Sequence, residues 1–126
     1  GQEIAQNDLD KFGEQIEVVF CNNDDMAIGA LQSIQAAGRT VNKDIYLVGV
    51  DALDAALNEV EKGNMTGTVL NDAQGQARAM VELALTLADG GKPDQVVELQ
   101  EDHYVWLPYR QVNRENLEDI VQEMER

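Results

Sequence analysis

The chain has 126 residues, 44% hydrophobic and 26% charged, which is typical of a folded globular domain with its own core. Nine basic against 24 acidic side chains give a net charge of −15, which repels phosphate backbones and anionic membranes and excludes nucleic acid as an expected partner. The single Cys21 excludes an internal disulfide, and no apolar run approaches the roughly 20 residues that span a bilayer.

In chain order, short β-branched runs alternate with segments of helical period. A first helix is predicted over residues 2–12, and three strands follow, over residues 16–21, 45–50 and 67–70. Each strand precedes a helix-period segment that ends at a glycine: Gly38, Gly63 and Gly90. Because continuously apolar strands are usually covered on both faces, the pattern predicts an α/β fold with a parallel sheet and helical crossovers.

The pattern changes after the third of these helices. Residues 95–100 and 104–109 are predicted as the strands of a β-hairpin, which places the lone His103 in a solvated turn. A C-terminal helix is predicted to begin at Asn113 as its N-cap. The chain is therefore expected to end in a late hairpin and a helix.

Polar side chains follow each of the three predicted strands, at residues 22–25 (NNDD), at Asp51 and at Asn71-Asp72. The carboxyl ends of neighbouring parallel strands face one crevice, so these side chains are expected to converge there. Asn and Asp are also preferred helix N-caps, and Asp25 and Asp72 lie nearest the predicted helix starts. The pattern thus leaves capping, phosphoryl transfer, metal binding and ligand binding open.

Several chemistries lack support in the sequence. No glycine-rich loop follows a strand, and Ser33 falls inside a predicted helix, away from any nucleophile elbow. A phosphoacceptor receiver domain remains an alternative, because Asp24-Asp25 and Asp51 could imitate its acidic pair and acceptor aspartate. Against it, residues 104–109 contain no lysine to contact a phosphoryl group.

The segments IEVVFCNNDDMAIGAL, VGVDALDAALNEVEKGNMTGTVLNDAQGQA, LADG and VWLPYRQVNRENLEDI occur in this order from Ile16 onward. They resemble the periplasmic galactose/glucose-binding protein family, which has the type I periplasmic-binding fold of three-layer α/β lobes. The resemblance implies a non-enzymatic hexose-binding protein of an ABC importer, located in the periplasm or otherwise outside the cytoplasm, with or without a lipid anchor. Its implied partners are a monosaccharide, the importer's membrane subunits and, as a further option, a chemoreceptor. The sugar-effector domain of a lactose-repressor-type regulator is the alternative.

The resemblance also assigns roles to particular residues. It implies that Asn23, Asp51 and Asn71 contact the sugar, while Asp24 and Asp25 organise the turn and cap the helix. A pyranose hydroxyl both donates and accepts, so amides and carboxylates suit it. Glu17 matches a carboxylate of a calcium site whose other ligands are absent from this chain, and no other cofactor is expected.

Family members are more than twice as long, so the resemblance implies a fragment. Residues 1–71 and 108–126 would belong to the C-terminal lobe, and residues 72–107 to the N-terminal lobe. The lone Trp106 does not match the family's sugar-stacking tryptophan. Self-association is expected, because one helix would present an apolar stripe without its sheet: Ala73, Ala77, Met80, Val81, Ala84 and Leu87.

Overall fold

The structure, a computed structural model, describes residues 1–101 and 103–124. It divides into a first unit, Gly1–Asn71 with Arg110–Arg126, and a second unit, Asp72–Tyr109. The second unit ends two residues later than the segment 72–107 expected from the sequence. Its assignment to a separate lobe of a longer protein stays a prediction.

The described helices and strands follow the predicted alternation up to residue 88. In chain order they are α1 (Gln2–Phe12), β1 (Val18–Phe20), α2 (Asp24–Ala36), β2 (Tyr46–Val48), α3 (Asp54–Glu61), β3 (Gly67–Leu70), α4 (Ala73–Ala88), β4 (Arg110–Asn113) and α5 (Leu117–Met124). The three predicted helix ends are confirmed: Gly38, Gly63 and Gly90 have positive φ, and their N–H groups donate to carbonyls of the preceding helical turn.

One four-stranded sheet, in the order β1-β2-β3-β4, organises the first unit. The first three strands are parallel, as predicted, and β4 is antiparallel to β3. The predicted N-cap at Asn113 is wrong: this residue ends β4, and α5 begins at Leu117. The reason is tertiary, since Val112 is 1% exposed and pairs with Thr68 across the sheet.

The core lies where helices pack against the sheet. Ile34 of α2, Leu47 of β2 and Val60 of α3 are all fully buried. The prediction that the strands are covered on both faces is wrong for β1 and β2 within the described residues. Phe20 is 66% exposed and Tyr46 48% exposed, because alternate strand residues face opposite sides and the described helices leave one side open.

The second unit is built around α4 and buries none of its described residues. The predicted hairpin strands, residues 95–100 and 104–109, are not formed. A 3-10 turn at Pro93–Gln95 and one antiparallel bridge between Gln100 and Tyr104 replace them. Two strands without further neighbours are marginally stable in water, which explains why the described residues hold only a single bridge.

His103 is exposed, as predicted, with its ring 5.1 Å from that of Tyr104. Asp102, part of the predicted hairpin turn, lies outside the described residues. All six residues of the predicted apolar stripe on α4 are exposed. No helix in the described part of the chain is long and apolar enough to cross a membrane.

Candidate functional site

The ends of β1, β2 and β3 bring three polar loops to one edge of the sheet. The parallel pairing continues past β2, where the Asp51 N–H donates to the Val69 carbonyl at 2.8 Å. The Asn71 side-chain amide donates to Asp51 Oδ1 at 3.4 Å. The structure therefore joins two of the three predicted ligand residues, although they lie 20 positions apart in sequence.

The backbone at Asp51 adopts a conformation that most residues avoid. Asp51 has φ 117° and Ala52 has φ 58°, both in the region that favours glycine. Such residues cost on the order of 1–3 kcal/mol each and persist only where surrounding contacts hold them. The turn that connects β2 to α3 is therefore strained, and other groups must maintain it.

Asp24, the first residue of α2, is the group that holds this turn. Its side chain is 0% exposed. One oxygen, Oδ2, accepts a hydrogen bond from the Leu53 N–H at 2.8 Å, and Oδ1 accepts one from the Thr68 hydroxyl at 2.7 Å. The Thr68 Oγ1 atom also accepts from the Ala52 N–H at 3.4 Å. A carboxylate after β1 and a hydroxyl on β3 thus fix the turn after β2.

The electrostatics of Asp24 follow from its burial. Loss of solvent raises the pKa of the Asp24 carboxyl above its ordinary value, and the hydrogen bonds from Thr68 and Leu53 oppose that shift. The nearby Asp51 carboxylate adds to the rise. Asp24 is therefore an internal group satisfied by protein donors, in contrast to a carboxylate that faces solvent.

Of the two helix caps predicted at the strand ends that form the candidate site, one is confirmed and one is wrong. Asp72 caps α4, as predicted, by accepting from the Gly75 N–H at 2.8 Å. The cap of α2 is Asn23, whose Oδ1 accepts from the Met26 N–H at 2.8 Å, so the prediction of Asp24 and Asp25 as caps is wrong. The helix begins at Asp24, and the capping oxygen must come from the residue before it.

Sequence reasoning missed the pairing of Asp24 with Thr68. Two signals could have indicated it. Thr68 is a polar residue in an otherwise apolar strand. Gly49 directly follows β2, at a position where a Cβ would lie 2.2 Å from Asp24 Oδ1. The missing side chain at Gly49 provides the space that the carboxylate occupies.

The residues present do not fit a complete calcium site. Calcium takes six to eight oxygen ligands, and the described residues include no group of three or more His, Cys, Asp or Glu side chains able to hold a metal. Glu17 is exposed beside β1, where its backbone carbonyl accepts from the Tyr46 N–H. The receiver-domain alternative gains no support either, because the first member of its acidic pair, Asp24, is buried and engaged by protein donors.

A cavity of about 320 Å³ lies elsewhere in the first unit, between α1 and β1. Its walls are mainly apolar and include Ile4, Leu9, Val18 and Phe20, and none of Asn23, Asp51 and Asn71 lines it. The polar edge of the sheet, which carries the donors and acceptors, remains the candidate site.

Known proteins resemble this chain in sequence and fold. A family profile described as "Periplasmic binding protein domain" matches residues 1–92. The D-galactose/methyl-galactoside binding periplasmic protein of Haemophilus influenzae is 41% identical over 107 residues, covering 84% of this chain and 31% of the relative. A xylitol-binding protein of Mycolicibacterium smegmatis is 38% identical over 85 residues, covering 68% of this chain and 24% of the relative.

Among solved structures, an ABC transporter solute binding protein from Bacillus halodurans with bound myo-inositol superposes with a TM-score of 0.78 at 32% identity. The match covers 97% of this chain and 38% of that protein. The chain thus spans about a third of the length of the proteins it matches. Sequence and fold agree, and the chain belongs to the type I periplasmic sugar-binding protein family.

Proposed function

We propose that this chain carries part of the binding site for a monosaccharide or related polyol in a non-enzymatic solute-binding protein of an ABC importer. The hydrogen-bonded pair of Asp51 and Asn71 at the sheet edge is the observation that supports this proposal most directly. The transport role is preferred over the regulator alternative, because the relatives include a periplasmic binding protein and an importer's solute-binding protein.

The chemistry of these side chains suits hydroxyl groups. A sugar hydroxyl can donate to a carboxylate oxygen of Asp51 and accept from the side-chain amides of Asn23 or Asn71. The helix cap uses the Oδ1 atom of Asn23, so its amide nitrogen is the atom proposed to donate to the ligand. Hydrogen bonds to the Asp51 carboxylate should be the strongest of the set because they are charge-assisted.

The proposed ligand is a galactose- or glucose-type hexose. The sequence motifs resemble those of galactose/glucose-binding proteins, and one relative is named for D-galactose and methyl galactoside. Another relative is named for xylitol, and a solved structure of similar fold contains myo-inositol. All these ligands present several adjacent hydroxyls, so the general class has broader support than the particular hexose.

The complete protein that carries this chain is proposed to act outside the cytoplasm. Closure of its lobes over the sugar would create the form that the importer's membrane subunits recognise, and a chemoreceptor is a further proposed partner. A lipid anchor is compatible with this location. Calcium at Glu17 would require ligands beyond the described residues, which include no group of three or more His, Cys, Asp or Glu side chains able to hold a metal ion.

Calorimetry on the complete protein tests the site. Titration with D-galactose, D-glucose, xylitol and myo-inositol should give binding heat with at least one of them. We expect Asp51→Ala and Asn71→Ala to weaken that binding by about tenfold or more, since each leaves a ligand hydroxyl without a hydrogen-bond partner. Asp54→Ala, an exposed carboxylate in the first turn of α3, is the matched control and should leave affinity unchanged. Absence of heat with every ligand, or unchanged affinity in both site variants, would reject the proposal.

The isolated chain is also proposed to associate with a second copy through the exposed stripe of α4. Met80 is 64% exposed and Val81 59% exposed, and contiguous apolar surface of this kind favours burial against a partner. Light scattering of the unsubstituted chain should show species larger than the monomer. The Met80→Lys variant should be monomeric under the same conditions. A monomer at all concentrations would contradict this part of the proposal.

A further inference from the structure

The turn that presents Asp51 is held mainly by groups outside itself. Asp24 accepts a hydrogen bond from the Leu53 N–H, 29 residues later in the chain, at the end of the turn. It accepts a second hydrogen bond from the hydroxyl of Thr68, 44 residues later. We propose that Asp24 and Thr68 are positioning residues, which hold the turn at residues 51–53 and so fix the Asp51 carboxylate for the ligand. This inference rests on the proposed function, because it takes Asp51 as a ligand contact.

The strain in the turn is the first argument. Residues other than glycine rarely keep a φ of 117° or 58° without support. The Ala52 N–H donates to Thr68 and the Leu53 N–H donates to Asp24, so both amides after Asp51 are engaged by these two side chains. Loss of those bonds would let the backbone relax toward ordinary φ values and would redirect the Asp51 side chain.

The rigidity of Asp51 is the second argument. On the β3 side its N–H donates to the Val69 carbonyl, and Asn71 donates to its carboxylate. With the following amides held by Asp24 and Thr68, the residue is fixed from both directions. A carboxylate held in its bound position loses less conformational entropy when a ligand arrives, which increases affinity.

Burial separates the role of Asp24 from that of Asp51. Asp24 is 0% exposed and both its oxygens accept from protein donors, so it is not available to a ligand. Thr68 is 2% exposed and is likewise enclosed. Their effect on a ligand must therefore act through the geometry of the turn.

A pair of buried hydroxyls provides a matched test. Thr68→Val keeps the shape of the side chain but removes both the donor to Asp24 and the acceptor for the Ala52 N–H. Thr68→Ser keeps the hydroxyl and should restore both. The control is Ser33→Ala, since Ser33 is 1% exposed and its hydroxyl donates to the Gln2 carbonyl, a contact on a different part of the first unit.

The first measurement is amide hydrogen exchange in the complete protein without ligand. We expect the amides of Ala52 and Leu53 to exchange about tenfold faster in Thr68→Val, because the hydrogen bonds that hold them are lost or weakened. Thr68→Ser and Ser33→Ala should leave these two amides protected. If Thr68→Val fails to fold, Asp24→Asn replaces it with the same expected result, since its amide group cannot accept at both positions. Equal exchange in Thr68→Val and Ser33→Ala would overturn the inference.

The second measurement is polyol affinity by calorimetry in the same variants. We expect Thr68→Val to bind about tenfold more weakly than the unsubstituted protein, and the other two variants to stay within about threefold. Retained affinity in Thr68→Val would overturn the inference even where the proposed function holds. A protein that binds no polyol would reject the proposed function, and the exchange result would then decide by itself whether Asp24 and Thr68 hold the turn.

Discussion

The two units of the chain carry the same kind of helix in different surroundings. In the first unit, α2 buries Ala27, Ala30 and Ile34 against the sheet. In the second unit, α4 has an apolar stripe of similar spacing, yet it has no buried residue. The sequences of α2 and α4 therefore show the helical pattern equally clearly, whereas the burial that normally stabilises such a helix is present only in α2.

This difference shows that the apolar period of a helix does not by itself determine how much the helix stabilises the fold. A 3.6-residue apolar period and a polar N-cap specify a helix locally, and both α2 and α4 have them. The stabilisation of a fold comes from area removed from water, at about 25 cal/mol per Å², and the described residues of the second unit contribute little of it. The two units should therefore respond differently to matched substitutions.

The largest expected contrast is between core truncations. Ile34→Ala in the first unit removes a fully buried side chain and should lower the free energy of unfolding by about 2–5 kcal/mol. Leu85→Ala in α4 truncates a side chain that is 62% exposed and should change it by less than about 0.5 kcal/mol. Urea unfolding followed by circular dichroism measures both. Losses of similar size would break the comparison.

Two glycines beside carboxylates give the next contrast. A Cβ at Gly49 would lie 2.2 Å from Asp24 Oδ1, and one at Gly75 would lie 2.4 Å from Asp72 Oδ2. Because Asp24 is buried and held by two bonds, Gly49→Ala should destabilise the first unit by about 1–3 kcal/mol. Gly75→Ala should be neutral or favour α4, because the partly exposed Asp72 can move and alanine gains helix propensity of about 1 kcal/mol.

The same urea titration measures this pair, with the helical signal of α4 as a second readout. A destabilising Gly75→Ala together with a neutral Gly49→Ala would show that the buried carboxylate, and not the exposed one, is free to adjust. That result would also remove the structural basis for treating Asp24 as fixed.

The two helix caps give a smaller contrast. Asn23→Ala and Asp72→Ala each remove one oxygen that accepts an N–H at 2.8 Å, at a cost of about 1 kcal/mol to the helix. We expect the Asn23 loss to appear in the unfolding of the first unit, because α2 is part of its core. The Asp72 loss should appear only as lower helix content and faster amide exchange over residues 73–88. An Asp72→Ala effect on the unfolding midpoint of the first unit would contradict this.

The smallest expected effect is a pH dependence confined to the first unit. Burial raises the pKa of Asp24, so the folded chain keeps this carboxyl protonated at pH values where the unfolded chain, with its ordinary value of 3.8, has lost the proton. The stability that Asp24 contributes is therefore fully present below that value and declines as pH rises through the raised pKa. The difference in unfolding free energy, unsubstituted minus Asp24→Asn, should fall as pH rises above 3.8, the ordinary pKa of the carboxyl. If this difference in unfolding free energy instead grows as pH rises, the predicted sign is wrong.

Much of the first unit could be predicted from the sequence. The helix over residues 2–12, the strand over residues 67–70 and the glycine-ended helices all follow from local periodicity and turn chemistry. The antiparallel β4 could not be predicted this way. Its residues RQVN lack a strong strand pattern, and they form a strand because β3 provides a partner across the sheet.

The candidate site divides in the same manner. The polar residues after each strand indicated a ligand edge, and the Asp51–Asn71 hydrogen bond agrees with the expected meeting of those strand ends. Within the NNDD segment the sequence assigned the cap to Asp24 and Asp25 and the ligand contact to Asn23, although all four residues can cap a helix. The structure assigns the cap to Asn23 and the buried position to Asp24.

The sequence by itself determined the alternation of strands and helices up to residue 88, the polar edge and the resemblance to sugar-binding proteins, because these depend on residue type and short-range spacing. Only the tertiary structure decided which carboxylate turns inward and which lies at the edge. That choice depends on hydrogen bonds that Asp24 accepts from residues 29 and 44 positions away, and on a strained turn at Asp51. Thr68 and Gly49 are local signals of such contacts, but the contacts themselves exist only once the three strands lie side by side.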